Sequence, residues 1–182
     1  SSSQKTSGMK YVYLLLLGFI LVGCSSSRTI YNDKNITDKK LEKLMRDLSA
    51  ATTDSALANQ VKFAYQYLHQ QQLAEVNRYQ YSSQLVDKEK LYHAYVGLQA
   101  LYDKIRGYAA ANALLRPASV GAEIAQTKLE LVSGHYEQAK KWLEQKNWQT
   151  ARSAYRSLGK VQQWMPEYKN TQQLLKQAQE AG

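Results

Sequence analysis

Residues 135–166 read HYEQAKKWLEQKNWQTARSAYRSLGKVQQWMP, and this stretch decides the fold. It contains two amphipathic segments that meet at a polar turn around Asn147, and Pro166 closes the second one. Apolar residues recur every three or four positions in both segments, which predicts two helices, each with one packed face. A short turn between them favours an antiparallel hairpin. The recurring residues are Leu129, Val132, Tyr136, Ala139 and Leu143, and then Trp148, Ala151, Tyr155, Leu158 and Val161.

The small and aromatic positions of this hairpin resemble a tetratricopeptide repeat, which pairs two antiparallel helices over about 34 residues. Ala139 stands where the first helix needs a small residue, and Trp142 follows at an aromatic position. Ala151 stands at the small position of the second helix, with Tyr155 as its aromatic knob. The resemblance implies that these four residues pack the repeat.

The hairpin also departs from the family pattern. Ala139 replaces the first-helix glycine, Leu158 stands at the final small position, and Pro166 arrives late. One such unit cannot bury its own apolar face, so a stable stack needs neighbouring helices. The resemblance therefore implies a repeat-like region over 119–182, with a last helix over 167–180 as its cap.

Similar periodicity predicts helices upstream, between residues 37 and 118. Leu41, Leu44 and Leu48 predict a helix over 38–50, with Thr37 or Asp38 as its N-cap. Asp54 or Ser55 begins a second helix that continues to about Tyr81. A third follows a break at 82–88 and ends at Arg116-Pro117, because the residue before proline avoids the helical region. Its apolar face carries Leu91, Tyr95, Leu98, Tyr102 and Ile105.

Composition agrees with an all-α fold. The chain has 2 prolines and 9 glycines, and no segment alternates apolar and polar residues as a half-buried strand would. We expect antiparallel helical hairpins over 37–118, followed by a solenoid or bundle similar to tetratricopeptide repeats over 119–182. Since the chain has 1 cysteine, no disulfide within it can contribute to stability.

The N-terminal residues have a different character. We interpret residues 1–8 as a cloning scar or an overlong gene start, because Met9 follows them. Lys10 supplies a basic residue, and Tyr11 to Val22 form an uncharged apolar run. A helix of that length does not cross a hydrocarbon core of about 30 Å, whereas a secretory signal needs an apolar run of about 7–15 residues. The segment therefore predicts export.

Leu21-Val22-Gly23-Cys24 resembles the lipobox of bacterial lipoprotein precursors. The resemblance implies a signal peptide over 9–23, cleavage before Cys24, and lipidation of Cys24 by a diacylglycerol thioether and an N-acyl chain such as palmitate. Residues 24–36 would then form a flexible tether. Ser25 and Ser26 stand where an inner-membrane retention signal has Asp, which implies the outer membrane. The periplasmic face is the default orientation, and surface exposure stays open, as do an ordinary signal peptide and a buried cysteine.

Charge points to anionic partners. The full chain has a formal net charge of +9, and removal of residues 1–23 takes away two lysines and no acids. Arg152 and Arg156 share one helix face, with Lys160 following. This basic surface suits an acidic peptide or the membrane surface, and a merely solvated surface is the alternative. We expect no nucleic-acid partner, because an exported lipoprotein does not meet one.

Tyrosine is abundant, with 14 residues in the chain. Most of them suit contacts between helices, where the ring is buried and the hydroxyl reaches water. Tyr92 and Tyr108 lie off the main apolar face, so they are candidates to line a groove for a peptide or a glycan.

No motif predicts catalysis. His69, His93 and His135 are far apart and lack metal-ligand spacing, so we interpret each as a surface or helix-flank residue. Phosphate-binding loops, nucleophile elbows and calcium loops are not found in the sequence. We expect neither a metal site nor a cofactor, apart from the covalent lipid on Cys24.

The leading hypothesis is a non-enzymatic, lipid-anchored scaffold that binds protein or peptide partners at the outer membrane, in envelope assembly or secretion. The alternative is a lipoprotein that binds cell-envelope glycan or peptidoglycan. The sequence leaves open the identity of the partner, the envelope machinery, the number of repeats and the oligomeric state.

Overall fold

A computed structural model describes residues 36–182. Within these residues the chain is all-α, as the sequence predicts. The predicted signal peptide, Cys24 and the tether up to residue 35 lie outside the described residues. The helices are α1 (Asp38–Ala50), α2 (Ser55–Tyr79), α3 (Leu85–Arg106), α4 (Ala109–Leu115), α5 (Gly121–Glu144), α6 (Trp148–Trp164) and α7 (Thr171–Ala181).

Side-chain caps set three of the helix starts. Thr37 accepts a hydrogen bond from the Lys40 amide at 3.3 Å, and Asp54 accepts one from the Leu57 amide at 3.0 Å. Asn147 accepts one from the Thr150 amide at 2.9 Å, so it begins α6. Each cap satisfies an amide that the first helical turn leaves without a backbone partner. These caps fix α1, α2 and α6 close to where the sequence predicts them.

Neighbouring helices pack in chain order. Contacts join α1 to α2, α2 to α3, α3 to α5, α5 to α6 and α6 to α7, while the short α4 packs on α1, α2 and α3. The register shows that α2 and α3 are antiparallel. Val61, early in α2, shares a cluster with Ile105, late in α3, whereas Val76, late in α2, shares a cluster with Leu91, early in α3.

Three apolar clusters fill the spaces between the helices. The first joins α1, α2, α4 and the end of α3; the second joins α5, α6 and α7; the third joins α2 and α3. Leu41, Met45 and Leu158 are fully buried within the first two clusters. Burying one such side chain contributes about 1.5–3 kcal/mol relative to leaving it exposed, so these clusters carry the stability of the fold.

Three boundaries differ from the prediction. α3 begins at Leu85, inside the predicted break at 82–88. The sequence predicts one helix up to Arg116, but the chain breaks at Gly107 and Tyr108, and α4 then packs back on α1. The apolar period continues across this break, so periodicity does not reveal it. The last helix begins at Thr171 instead of Glu167, because turns fill the intervening residues.

The residues that form the packed face of α6, the second helix of the hairpin, differ in part from those that the sequence predicts. Ala151 and Ala139 are buried, and Trp142 packs against the second cluster, as the predicted packing requires. Tyr155, however, is 47% exposed and Trp148 is 54% exposed, so the knob role assigned to Tyr155 is wrong. Ala154, Leu158 and Val161 form the packed face, which corresponds to a 3.6-residue period that leaves both aromatic rings at its edge.

Among residues 36–182, none of the helices combines the length and the apolar composition that a membrane crossing requires.

Candidate functional sites

Four polar side chains from three helices form a network between α3, α5 and α6. The Nδ1 atom of His135 lies 2.8 Å from the Ser157 hydroxyl oxygen, and its Nε2 lies 2.9 Å from Oε1 of Glu89. Lys160 forms an ion pair with the same carboxylate oxygen. Since a carboxylate accepts the Nε2 proton, Nδ1 is the acceptor for the Ser157 hydroxyl. The network therefore joins the three helices through satisfied hydrogen bonds.

Burial lowers the pKa of His135 below its ordinary value, the hydrogen bond to Glu89 opposes that change, and the nearby positive charge of Lys160 adds to it. Burial also acts on Glu89, but hydrogen bonds from Lys160 and His135 outweigh it and lower the pKa of this carboxyl group. At neutral pH a neutral imidazole thus lies between a hydroxyl and a carboxylate whose charge Lys160 balances.

A serine, a histidine and a carboxylate are also the components of acyl-transfer sites. Such a site needs a nucleophile that a substrate carbonyl can approach, together with donors for the developing oxyanion. Ser157 is 6% exposed and His135 is 7% exposed, so neither offers that access. We interpret the network as a structural contact that holds α3, α5 and α6 together, and we call it the joint around His135. The prediction that His135 is a surface or helix-flank residue is wrong, because His135 is buried on the packed face of α5.

A groove of about 440 Å³ lies between α3 and α5. This volume falls in the range of about 300–1,000 Å³ that is usual for ligand pockets. We call it the α3–α5 groove. It is lined by Gln80, Leu91, Tyr95, Ala122, Glu123, Gln126, Thr127 and Glu130.

The two carboxylates that line the α3–α5 groove, Glu123 and Glu130, differ in their ion-pair partners. Glu130 pairs with Lys88 and accepts a hydrogen bond of 3.0 Å from the Gln126 side chain, and these contacts lower its pKa. Glu123 forms no ion pair with any residue in 36–182. Burial raises the pKa of Tyr95, and the charges of Glu123 and Glu130 raise it further. The groove thus presents an aromatic ring beside one unbalanced carboxylate.

A second surface lies on the outer side of α6. Trp148, Arg152, Tyr155 and Arg156 are all exposed there, and we call them the α6 ridge. The guanidinium of Arg152 lies 5.8 Å from the centre of the Trp148 ring, in a cation–π arrangement. The ridge continues to Gly159, where an added Cβ would meet nothing within 4 Å.

The structure separates the residues predicted to bind partners. Tyr92 stacks on Trp164 with ring centres 5.6 Å apart, so it helps to pack α3 against α6. Tyr108 occupies the N-cap of α4 and packs against the first apolar cluster. Tyr92 lies about 21 Å of helix before the end of α3 at Arg106, and Tyr108 follows the break at Gly107, so the two tyrosines do not line one groove. Lys160 forms an ion pair with Glu89 at the edge of the buried network. Arg152 and Arg156, by contrast, are exposed.

The sequence reasoning missed the α3–α5 groove and the joint around His135. Glu89, His135 and Ser157 come from three helices, and no short motif connects them. One signal was available: His135 falls between Val132 and Ala139, at positions that the packed face of α5 occupies. A polar residue on a packed helix face needs a hydrogen-bond partner, and this requirement predicts a network.

No group of three or more metal-ligating side chains occurs among the residues that the structure describes. No protein-family model matches the chain, and comparisons with curated proteins and with solved structures find no significant match. A function must therefore be argued from the chain's own residues.

Proposed function

We propose that the protein is a non-enzymatic, lipid-anchored helical scaffold that binds a protein or peptide partner at the periplasmic face of the outer membrane, in envelope assembly or secretion. The observation that carries this proposal is the α3–α5 groove, an open site whose lining is part polar and part apolar. Such a lining suits a peptide, which presents apolar and polar side chains together.

In this proposal the lipid anchor places the protein at the membrane. Lipidation of Cys24, implied by the lipobox resemblance, would attach the helical unit to the membrane through a tether of about a dozen residues. Several acyl chains hold a protein firmly, whereas one holds it marginally. A tethered scaffold meets membrane-associated partners at a high effective concentration, so a groove of modest affinity suffices.

In this proposal the helices of residues 36–182 provide the surface that binds the partner. Ala139 and Ala151 are buried, which supports the resemblance of α5 and α6 to a tetratricopeptide hairpin. Contacts between successive helices fit a short stack in which α7 acts as the cap. In this proposal the joint around His135 holds α3 at a fixed position against α5 and so keeps the two walls of the groove in register.

The groove chemistry indicates the kind of segment it takes. Glu123 offers a carboxylate without an ion-pair partner among the described residues, and Tyr95 and Leu91 offer apolar surface beside it. A lysine or arginine side chain combines an aliphatic stem with a cationic end, which fits both features. We therefore propose a partner segment that inserts one basic side chain between apolar neighbours.

A second candidate is glycan binding, and one observation favours it. Tyr95 lies in the groove together with the amide side chains of Gln80 and Gln126, which can donate to and accept from sugar hydroxyls. In this candidate function, Tyr95 has the ligand-binding role that the sequence predicts for Tyr92 and Tyr108, which the structure separates.

Purification of the full lipidated chain from crosslinked envelopes tests the proposal. The scaffold predicts a stoichiometric protein partner that is lost with Glu123→Lys and retained with Glu144→Lys, an equal charge change at an exposed position of α5 outside the groove. Recovery of the protein alone would contradict the scaffold. Retention on insoluble peptidoglycan that Tyr95→Ala abolishes would support the glycan candidate instead.

A further inference from the structure

The α6 ridge carries an unusual set of exposed side chains. Trp148 and Tyr155 are large aromatic residues with about half of their surface in water. Arg152 lies between them along the helix, and Arg156 follows one turn later. Aromatic rings combined with basic groups are typical of surfaces that meet the interface of a membrane, where the rings sit at headgroup level.

The shape of the ridge suits a flat partner. From Trp148 to Arg156 it extends about 12 Å along one straight helix. Beyond Tyr155, the open space around Gly159 leaves the helix backbone accessible. The four side chains fall within an arc of about 100° around α6, so they face one side of the helix, and Gly182 lies beside Arg152 at the edge of this arc. The α3–α5 groove, by contrast, has walls from two helices and suits an inserted segment.

The charge of the ridge is not balanced internally. Arg152 and Arg156 form no ion pair with any residue in 36–182, whereas Lys160 and Lys169 pair with Glu89 and Glu137. Two further lysines without an ion pair in that range precede the ridge, Lys141 and Lys146, together with the single acid Glu144. This segment therefore attracts an anionic surface.

We infer that the α6 ridge docks on an anionic phospholipid surface. Arg152 and Arg156 would pair with lipid phosphates, which their guanidinium groups match in geometry, while Trp148 and Tyr155 enter the headgroup layer. The inference goes beyond the anchor and the groove partner. It gives the scaffold one orientation, with α6 against the bilayer, and it requires neither acylation nor an occupied groove.

Fluorescence of Trp148 in vesicle-bound full-length protein tests this inference. Trp142→Phe and Trp164→Phe leave Trp148 as the reporter, since the chain has 3 tryptophans. Vesicles of phosphatidylcholine alone are compared with vesicles that contain phosphatidylglycerol, each with brominated lipid as quencher. Because the signal comes from α6, binding through the N-terminal segment does not produce it.

We expect brominated lipid to quench Trp148 and acrylamide access to fall in phosphatidylglycerol vesicles, with both effects weakened by salt. Arg152→Glu with Arg156→Glu should reduce this membrane contact by at least tenfold, since each basic group near an anionic surface contributes several-fold. Lys39→Glu with Lys43→Glu is the matched control, because these lysines are exposed, have the same spacing and lie on α1.

Equal acrylamide access of Trp148 on both vesicles would overturn the inference. A response of Trp148 to a polyglutamate peptide without a response to phosphatidylglycerol would also overturn it, and would identify the ridge as an acidic-peptide site. If the two Phe substitutions destabilise the fold, cosedimentation of the charge-reversed and control variants in the chain with its native tryptophans gives the same comparison. Loss of the groove partner with Glu123→Lys tests the proposed function separately.

Discussion

The Nε2 atom of His135 on α5 lies 2.9 Å from Oε1 of Glu89 on α3, across 46 residues of chain. This pair connects the N-terminal helices to the C-terminal ones at the place where α3 packs against α5. The α3–α5 groove has its walls on the same two helices. The position of α3 against α5 thus depends on a buried polar contact as well as on apolar packing.

Replacing His135 should destabilise the protein more than replacing an exposed histidine. His135→Ala removes the acceptor of the Ser157 hydroxyl and one of the two donors to Glu89, which keeps Lys160, and this costs about 1–3 kcal/mol in the free energy of unfolding. His93→Ala, at an exposed position of α3, should cost less than about 0.5 kcal/mol. Urea unfolding followed by circular dichroism measures both. Equal effects of the two substitutions would mean that the joint does not contribute.

Stability should fall when the pH drops below the ordinary histidine pKa. Burial lowers the pKa of His135, so the unfolded chain binds the proton more readily than the folded chain. The stabilisation is therefore complete above about pH 6.5 and is lost as the pH falls through the lowered pKa of the folded state. Burial also lowers the pKa of His69, which adds a loss of the same sign.

Melting temperatures at neutral pH and at mildly acidic pH separate these contributions. His135→Gln keeps a hydrogen-bonding group that does not titrate, so the acid-induced drop should shrink in this variant and shrink again with His69→Gln. A drop of unchanged size in His135→Gln would show that His135 does not titrate between the two conditions.

The packed face of α6 can be tested with one pair of substitutions. Leu158 is fully buried in the second cluster, so Leu158→Ala should cost about 2–5 kcal/mol in unfolding free energy. Tyr155 is half exposed, so Tyr155→Ala should cost less than about 1 kcal/mol. Denaturant titration measures both. A larger loss for Tyr155→Ala would restore the predicted knob role.

Lipidation should depend on a single thiol. In a bacterial host fed a radiolabelled or alkyne-tagged fatty acid, the native chain should incorporate the label. Cys24→Ser removes the chain's only cysteine and should abolish incorporation, leaving an unprocessed or released form. Ser25→Ala is the control and should stay labelled. Label in Cys24→Ser would contradict the lipobox interpretation.

Sequence patterns predict the helices well where periodicity coincides with a cap. Thr37 and Asp54 cap α1 and α2 at the expected positions, because one side chain decides each helix start locally. Periodicity does not predict the break at Gly107, because the contacts of α4 with α1 arise only in the folded chain. Likewise, Trp148 and Tyr155 fit the apolar period, but Ala154, Leu158 and Val161 form the packed face of α6 and both rings stay exposed.

The candidate sites were less predictable than the fold. Arg152 and Arg156 follow from their spacing on one helix, and the structure leaves both exposed. The joint around His135 and the α3–α5 groove depend on how α3 meets α5. Lys88 and Glu130, for example, are 42 residues apart and lie in no common motif. Such pairs become visible when the packing of the helices is known.

Site-specific photocrosslinking in the envelope tests the central claim most directly. A photoreactive residue placed at Ala122, which lines the α3–α5 groove, is compared with the same residue at Ala125, which is exposed on α5 outside that lining. A scaffold with a peptide partner predicts one discrete protein adduct from position 122, its loss with Glu123→Lys, and no such adduct from position 125. The absence of an adduct at 122, or the same adducts from both positions, would contradict partner binding in the groove.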